Sequence, residues 1–367
     1  MKKKICKITA LLLAASLFAS GCGGKGEDGS RTEPETGALE STAAEALKNG
    51  SRVSMQLTDK VKLEAEAVLP EDWDGTAETC QVQLKPFDAK TLAPRLFPQI
   101  KEEQWGHYYG EDSCDYGDEK INILIDTEIS YYTLDWWVQE VYLPMNDTNG
   151  DIICGPDEYT EELSFASRAD IQARAVDWMV NKAGIENVRV DRIYSVRGED
   201  VLAEYNRREN SGGDDIGKPA ENPEDAEKIF KDCYWLHMSR YVNGLPLLGD
   251  SYTRQDEAYI PDGRIYMAYT GDGMEQALIL WDYEILGKEG VSLADMETVY
   301  GALKRKYELN ITGEMVLDQM GLIYFPYPVD TEQYIYDLVP VWEFSGVRDG
   351  LMEKVYINAV DGKEIVL

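Results

Sequence analysis

The sequence predicts an α+β protein, in which a β-rich N-terminal domain is followed by helix-on-antiparallel-sheet units. Two observations support this fold class. Apolar and polar residues alternate with period two over residues 53–57 and 61–67, a pattern typical of half-buried strands. Farther along, apolar residues recur at helical spacing at Ile171, Ala175 and Met179, before further strand-like segments.

The period-two pattern continues at residues 80–84, 121–125 and 129–143, so we predict a β-rich domain over residues 51–160. Ser167 and Asp170 then have the spacing of a helix cap, and a strand-like segment follows over residues 188–196. We assign these elements to a first α+β unit over residues 161–288.

The end of the chain repeats this order of elements. A capped helix over residues 292–307 is followed by strand-like segments at 315–325, 336–344 and 354–359. Asp361-Gly362 is a strong signal for a short hairpin turn. We therefore predict a second α+β unit over residues 289–367.

Composition and charge narrow the choice of partners. Of the 367 residues, 44% are hydrophobic, which is enough for a sizeable core, and the formal net charge is -32. Such a charge repels phosphate backbones and anionic lipid headgroups, so nucleic acid is not expected as a partner. Cationic partners and divalent cations are attracted instead.

The N-terminus has the pattern of an export signal. Lys2, Lys3 and Lys4 precede an apolar stretch over residues 8–18 that is too short for a permanent membrane helix. Ala19-Ser-Gly-Cys22 resembles the lipobox of bacterial lipoproteins, although Ala19 stands where a larger aliphatic residue is usual. The resemblance implies a signal peptide over residues 1–21, lipidation of Cys22, and an extracytoplasmic protein held at the cell membrane by lipid. An ordinary secretory signal is the alternative.

A tether of Gly, Glu, Ser and Thr follows Cys22 to about residue 50. Beyond it lie Cys80, Cys114, Cys154 and Cys233, which permit two disulfides in three pairings. Buried free thiols are the alternative, and the sequence leaves both open.

Two segments resemble known modules. Arg240-Tyr-Val-Asn-Gly-Leu-Pro-Leu-Leu-Gly249 and Ala258-Tyr-Ile-Pro-Asp-Gly-Arg-Ile265 resemble the hairpins of fungalysin/thermolysin propeptides. Pro340-Val-Trp-Glu-Phe344 and Val355-Tyr-Ile-Asn-Ala-Val-Asp-Gly-Lys-Glu-Ile365 are similar to PepSY-type domains. The resemblance implies small α+β modules found in protease propeptides and cell-envelope proteins, without a catalytic residue to carry over.

The chain shows no HExxH, GxSxG or P-loop motif, and its only histidines are His107 and His237. We therefore predict a non-enzymatic protein. A hydrolase built on carboxylates such as Asp112 and Asp115 is the weaker alternative, because such acids catalyse only where the fold makes them converge.

A calcium site is one candidate. Asp147, Asn149, Asp151 and Glu158 have the spacing of oxygen ligands in a helix-loop-helix calcium loop. Ile152, however, stands where that loop requires glycine, and an ordinary polar hairpin turn explains the same residues.

An aromatic platform is the other candidate, and core packing is its alternative. Its residues are Trp105, Tyr108, Tyr109, Trp136 and Trp137.

Together these features predict a lipid-anchored cell-envelope protein that binds another protein or a peptide. A surface lipoprotein that binds carbohydrate or peptide through the aromatic residues is the alternative. The identity of the partner and the oligomeric state stay open.

Overall fold

The computed structural model describes residues 47–69, 76–107, 112–145, 158–210, 229–249, 252–253, 259–261, 263–308, 313–348 and 351–366. Within these residues the chain forms two eight-stranded sheets, a two-stranded ribbon and five short α-helices. The strands are β1 Arg52–Gln56, β2 Val61–Val68, β3 Ala77–Lys85, β4 Cys114–Gly117, β5 Ile121–Ile125, β6 Glu128–Thr133, β7 Val188–Val196, β8 Cys233–Val242, β9 Leu245–Pro246, β10 Tyr252–Thr253, β11 Tyr259–Ile260, β12 Arg264–Thr270, β13 Gly273–Leu280, β14 Asp282–Val291, β15 Met315–Asp330, β16 Ile335–Arg348, β17 Leu351–Asn358 and β18 Glu364–Ile365. The helices are α1 Ala89–Leu96, α2 Leu134–Val141, α3 Arg168–Asp177, α4 Gly198–Asn210 and α5 Met296–Glu308.

The predicted α+β class is wrong, because the structure is mostly β-sheet, with 49% of residues in strands. The predicted arrangement of PepSY-like helix-on-sheet units does not form. The physical reason lies in strand pairing. The strands after α5 pair with one another, but they do not form a separate sheet, because β15 also pairs with β2 and β16 with β3, from the N-terminal part of the described chain.

Strands from both ends of the described chain build the first sheet. Its order is β1-β2-β15-β16-β17-β18, and β3 pairs with both β14 and β16. β2 runs parallel to β15, with Val61 opposite Met315, whereas the other pairs are antiparallel. The strands that close this sheet are therefore far apart in sequence.

The intervening chain forms the second sheet, in the order β4-β5-β6-β13-β12-β8-β7 with β9 added to β8. All of its pairs are antiparallel. Of the two predicted unit boundaries, residue 160 falls between β6 and β7 of this sheet, and residue 288 falls inside β14.

Helices cover the apolar faces of both sheets. Leu63 of β2 and Val299 and Leu303 of α5 share one fully buried cluster of the first sheet. In the second sheet, α1 and α3 lie over one face, and α2 and α4 lie over part of the other, where Trp136 packs near Trp235. The strict alternation of buried and exposed residues along β2 shows why its apolar positions specify one face.

The chain crosses from the second sheet to the first at Trp281, between β13 and β14, and Arg240 of β8 holds this crossing. Arg240 is only 7% exposed. Its guanidinium donates to the Trp281 carbonyl oxygen at 2.7 Å and to Asp282 Oδ1 at 3.2 Å. It also lies 3.8 Å from the ring centroid of Tyr283. One buried cation thus ties β8 of the second sheet to the first residues of β14.

Replacing Arg240 with Met removes these contacts and leaves the Trp281 carbonyl without its donor. We expect the free energy of unfolding to fall by about 2 to 4 kcal/mol, measured by urea denaturation followed by circular dichroism. Arg189→Met is the matched control, because Arg189 also stacks on a tyrosine ring, 4.5 Å from the centroid of Tyr241, but is exposed. Equal losses for the two variants would contradict the role given to Arg240.

Candidate binding site

A crevice opens beside this crossing, between the first sheet and the loops of the second. It is a shallow crevice that is partly open to solvent. The lining combines residues from β3, β13, β14, β15 and β16 with residues around β9 and β12.

The floor of the crevice is aliphatic. Val82 and Leu84 of β3 and Leu338 of β16 line it, and all three are buried. Val82 and Leu84 are two positions apart on one strand, so their side chains point to the same face of the sheet. Across the ladder, Tyr283 lies opposite Leu84. The alternation of side chains between the two faces of β3 therefore produces an apolar floor next to an aromatic ring.

One wall requires glycine. A Cβ atom built on Gly263 would lie 2.5 Å from Leu247 Cβ, closer than real carbon contacts. Both residues line the crevice. The close approach of Gly263 to Leu247 thus sets the width of the crevice at this wall.

Two aromatic residues meet beside the crevice. The rings of Trp281 and Tyr334 are 5.3 Å apart and inclined by 36°. Trp281 also belongs to the lining, and 46% of Tyr334 is exposed. This pair, Trp281 and Tyr334, is called the aromatic rim below.

Both residues of the aromatic rim have left-handed backbone conformations, with φ of 50° for Trp281 and 54° for Tyr334. Such values are unfavourable for bulky side chains, and neighbouring structure must hold them. The Trp281 amide donates to Thr127 O at 2.7 Å, and the Leu84 amide donates to Tyr334 O at 3.0 Å. Backbone strain maintained at two residues whose rings are adjacent is a reason to consider this place functional.

The surroundings of the aromatic rim are acidic. Glu128 lies opposite Leu280, which lines the crevice, and Asp282 directly follows Trp281. Burial raises the pKa of Glu128, and the charge of Asp126 raises it further. Two cations lie beside Asp282: Arg240 pairs with it, and Lys85 lies opposite it in the ladder and pairs with Glu284. The carboxylates that favour a partner with positive charge are therefore Asp126 and Glu128.

The aromatic residues named from the sequence lie elsewhere. Trp136 is 1% exposed in the core of the second sheet, and Trp105 packs between Phe97 and Tyr116. Trp137 is 57% exposed on α2. Tyr108 and Tyr109 lie outside the described residues. Trp105 and Trp136 belong to different clusters, so the structure does not bring these two together as one platform.

Three of the four calcium ligands named from the sequence, Asp147, Asn149 and Asp151, lie outside the described residues. The fourth, Glu158, is exposed. Across the parts of the chain that the structure describes, no group of three His, Cys, Asp or Glu residues is arranged to hold a metal ion.

Cys22 and Cys154 also lie outside the described residues. Cys80, Cys114 and Cys233 are buried and are not joined by disulfides. Burial raises the pKa of all three thiols. None of the described helices is long and apolar enough to cross a bilayer.

The crevice could not be predicted from the sequence, because its residues come from segments near positions 83, 247, 281 and 336, which no local pattern connects. The one available signal was Trp281-Asp-Tyr283, an aromatic pair at the start of a strand-like segment. By itself it resembles any strand rich in aromatic residues.

Comparison with known proteins supports the fold alone. No protein-family model matches the chain, and no curated protein matches it. Among solved structures, the chain is similar to a crystal structure of an uncharacterized protein from Eubacterium rectale ATCC 33656, with a TM-score of 0.62 and 14% identity. The similarity covers 86% of this chain and 93% of that one.

The raised thiol pKa values predict low reactivity. We expect Cys80, Cys114 and Cys233 to resist iodoacetamide in the folded chain and to be modified only after unfolding in urea, because a buried thiol forms little thiolate. Mass spectrometry of the peptides, before and after unfolding, measures each site separately. Complete modification of the folded protein, or recovery of a disulfide among these three residues, would contradict the burial.

Proposed function

We propose that this protein is a lipid-anchored cell-envelope protein that binds a segment of another protein, or a peptide, in the crevice beside the aromatic rim. The observation that carries the proposal is an apolar crevice next to two aromatic residues, Trp281 and Tyr334, whose backbone is held in the left-handed conformation. Such a combination binds a protruding side chain and gives it specific contacts.

The chemistry of the crevice supports binding rather than catalysis. Its floor consists of the aliphatic residues Val82, Leu84 and Leu338, which offer burial to an apolar side chain. Arg240, the nearby cation, is already committed to Trp281, Asp282 and Tyr283. The lining thus offers hydrophobic burial and ring contacts, and the carboxylates beside it favour a partner with basic residues.

The proposed lipid anchor would place this binding site at the outer surface of the cell membrane. A lipidated Cys22 would hold the fold outside the cytoplasm. The net charge of -32 keeps such a fold away from anionic lipid headgroups and leaves it accessible to cationic partners.

Peptide binding tests the proposal. We would titrate the full chain with fluorescein-labelled peptides that place one leucine between lysines, and follow fluorescence anisotropy. Trp281→Ala and Tyr334→Ala should each weaken binding about tenfold, which corresponds to ~1.4 kcal/mol. Replacement of the flanking lysines by glutamates should weaken it similarly, since the surroundings of the rim are acidic.

Two control variants make this result specific. Tyr327→Ala removes a tyrosine of comparable exposure, 44% against 46% for Tyr334, that does not line the crevice. Trp137→Ala removes the exposed tryptophan of α2. Both should bind like the unchanged protein. If Trp137→Ala abolished binding while Trp281→Ala and Tyr334→Ala did not, the alternative of an aromatic surface on α2 would replace the crevice.

A further inference from the structure

We infer that the segment bound in the crevice is a proline-containing segment in the polyproline II conformation with an adjacent basic residue. This inference rests on the proposed function and specifies the partner of the same site. Three features of the described residues carry it: a guarded strand edge, the geometry of the aromatic rim, and the carboxylates around it.

The first feature bears on how a bound segment contacts the backbone. Among the described strands β14 is paired with β3 alone, so it is an edge strand to which a peptide could add as a further strand. A bulge between Ile285 and Gly287 interrupts its regular register, however. Beyond the bulge Lys288 lies opposite Cys80 in the ladder, is exposed, and contacts the side chains of Glu78 and Asn243, so it adds a charge to this edge.

Bulges and charged side chains at the edge, especially lysine, are features by which proteins prevent strands from adding to an edge. A regular ladder along β14 would therefore be limited to its first residues, next to the crevice. A ligand that needs a long run of backbone hydrogen bonds is disfavoured.

The second feature favours a polyproline II segment. This conformation has no internal hydrogen bonds and docks on aromatic surfaces through its proline rings. The rings of Trp281 and Tyr334, 5.3 Å apart and inclined by 36°, form an angled pair beside the apolar floor. Because such a segment is already extended in solution, binding costs little conformational entropy.

The third feature specifies the charge of the segment. Glu128 lies opposite Leu280 of the lining, Asp126 is close enough to raise the pKa of Glu128, and Asp282 follows Trp281. Arg240 and Lys85 are the cations beside Asp282, and Lys85 also pairs with Glu284. An arginine or lysine next to the bound prolines would meet Asp126 and Glu128, and this attraction would weaken with added salt.

The test compares three peptides on the full chain by anisotropy. The probe is fluorescein-labelled Ala-Pro-Leu-Pro-Pro-Arg-Ala, the second peptide has alanine at each proline, and the third has glutamate in place of arginine. We expect the second and third peptides to bind at least tenfold more weakly than the probe. Glu128→Gln should reduce the preference for arginine over glutamate without changing the preference for proline.

A variant of the guarded edge supplies an independent readout. Lys288→Thr removes the charge beside the bulge, so it should leave binding of the proline peptide unchanged if no strand is added to β14. The polyproline II inference would be overturned if the alanine peptide bound as tightly as the probe. It would also be overturned if Lys288→Thr strengthened probe binding tenfold. In either case the crevice would remain the binding site. If neither these peptides nor the leucine peptides bound, the proposed function would fail as well.

Discussion

The contact of Arg240 with the chain crossing at Trp281 is the interaction on which the rest of the structure depends. At this point the chain leaves β13 of the second sheet and enters β14 of the first. The guanidinium of Arg240 holds the carbonyl of Trp281, the carboxylate of Asp282 and the ring of Tyr283 together. Trp281 directly precedes β14, Asp282 and Tyr283 begin it, and Trp281 and Tyr283 line the crevice. The same buried cation therefore orders both the junction and the candidate site.

The local elements could be predicted from the sequence, but their assembly could not. The strand predicted over residues 188–196 is confirmed as β7, and the helix predicted over residues 292–307 forms at Met296–Glu308. The period-two spacing of a strand and the helical spacing of a helix can each be recognised within a single element, so single elements can be predicted from the sequence. The pairing of Val61 with Met315, by contrast, is decided by tertiary packing. The mistaken α+β class followed from assuming that neighbouring elements in sequence form one sheet.

The site escaped prediction for a related physical reason. The high density of aromatic residues in the sequence predicted a binding platform that includes Trp105 and Trp136. Large rings buried in a core produce the same density. The aromatic rim needs only Trp281 and Tyr334, whose proximity depends on the turn between β15 and β16 reaching the β13–β14 crossing. Glycine is the residue that indicates a left-handed backbone conformation in a sequence. Because tryptophan and tyrosine stand at these two positions, the sequence does not indicate it.

We expect the ligand to enter the crevice beside Trp281. The indole Nε1–H signals of the eight tryptophans can be resolved by ¹H–¹⁵N NMR of the full chain, and Trp281→Phe assigns the signal of Trp281. On addition of a basic proline peptide, the account predicts that the Trp281 signal moves in a saturable manner while the signal of the exposed Trp137 stays in place. A saturable shift of Trp137 with an unchanged Trp281 would contradict it.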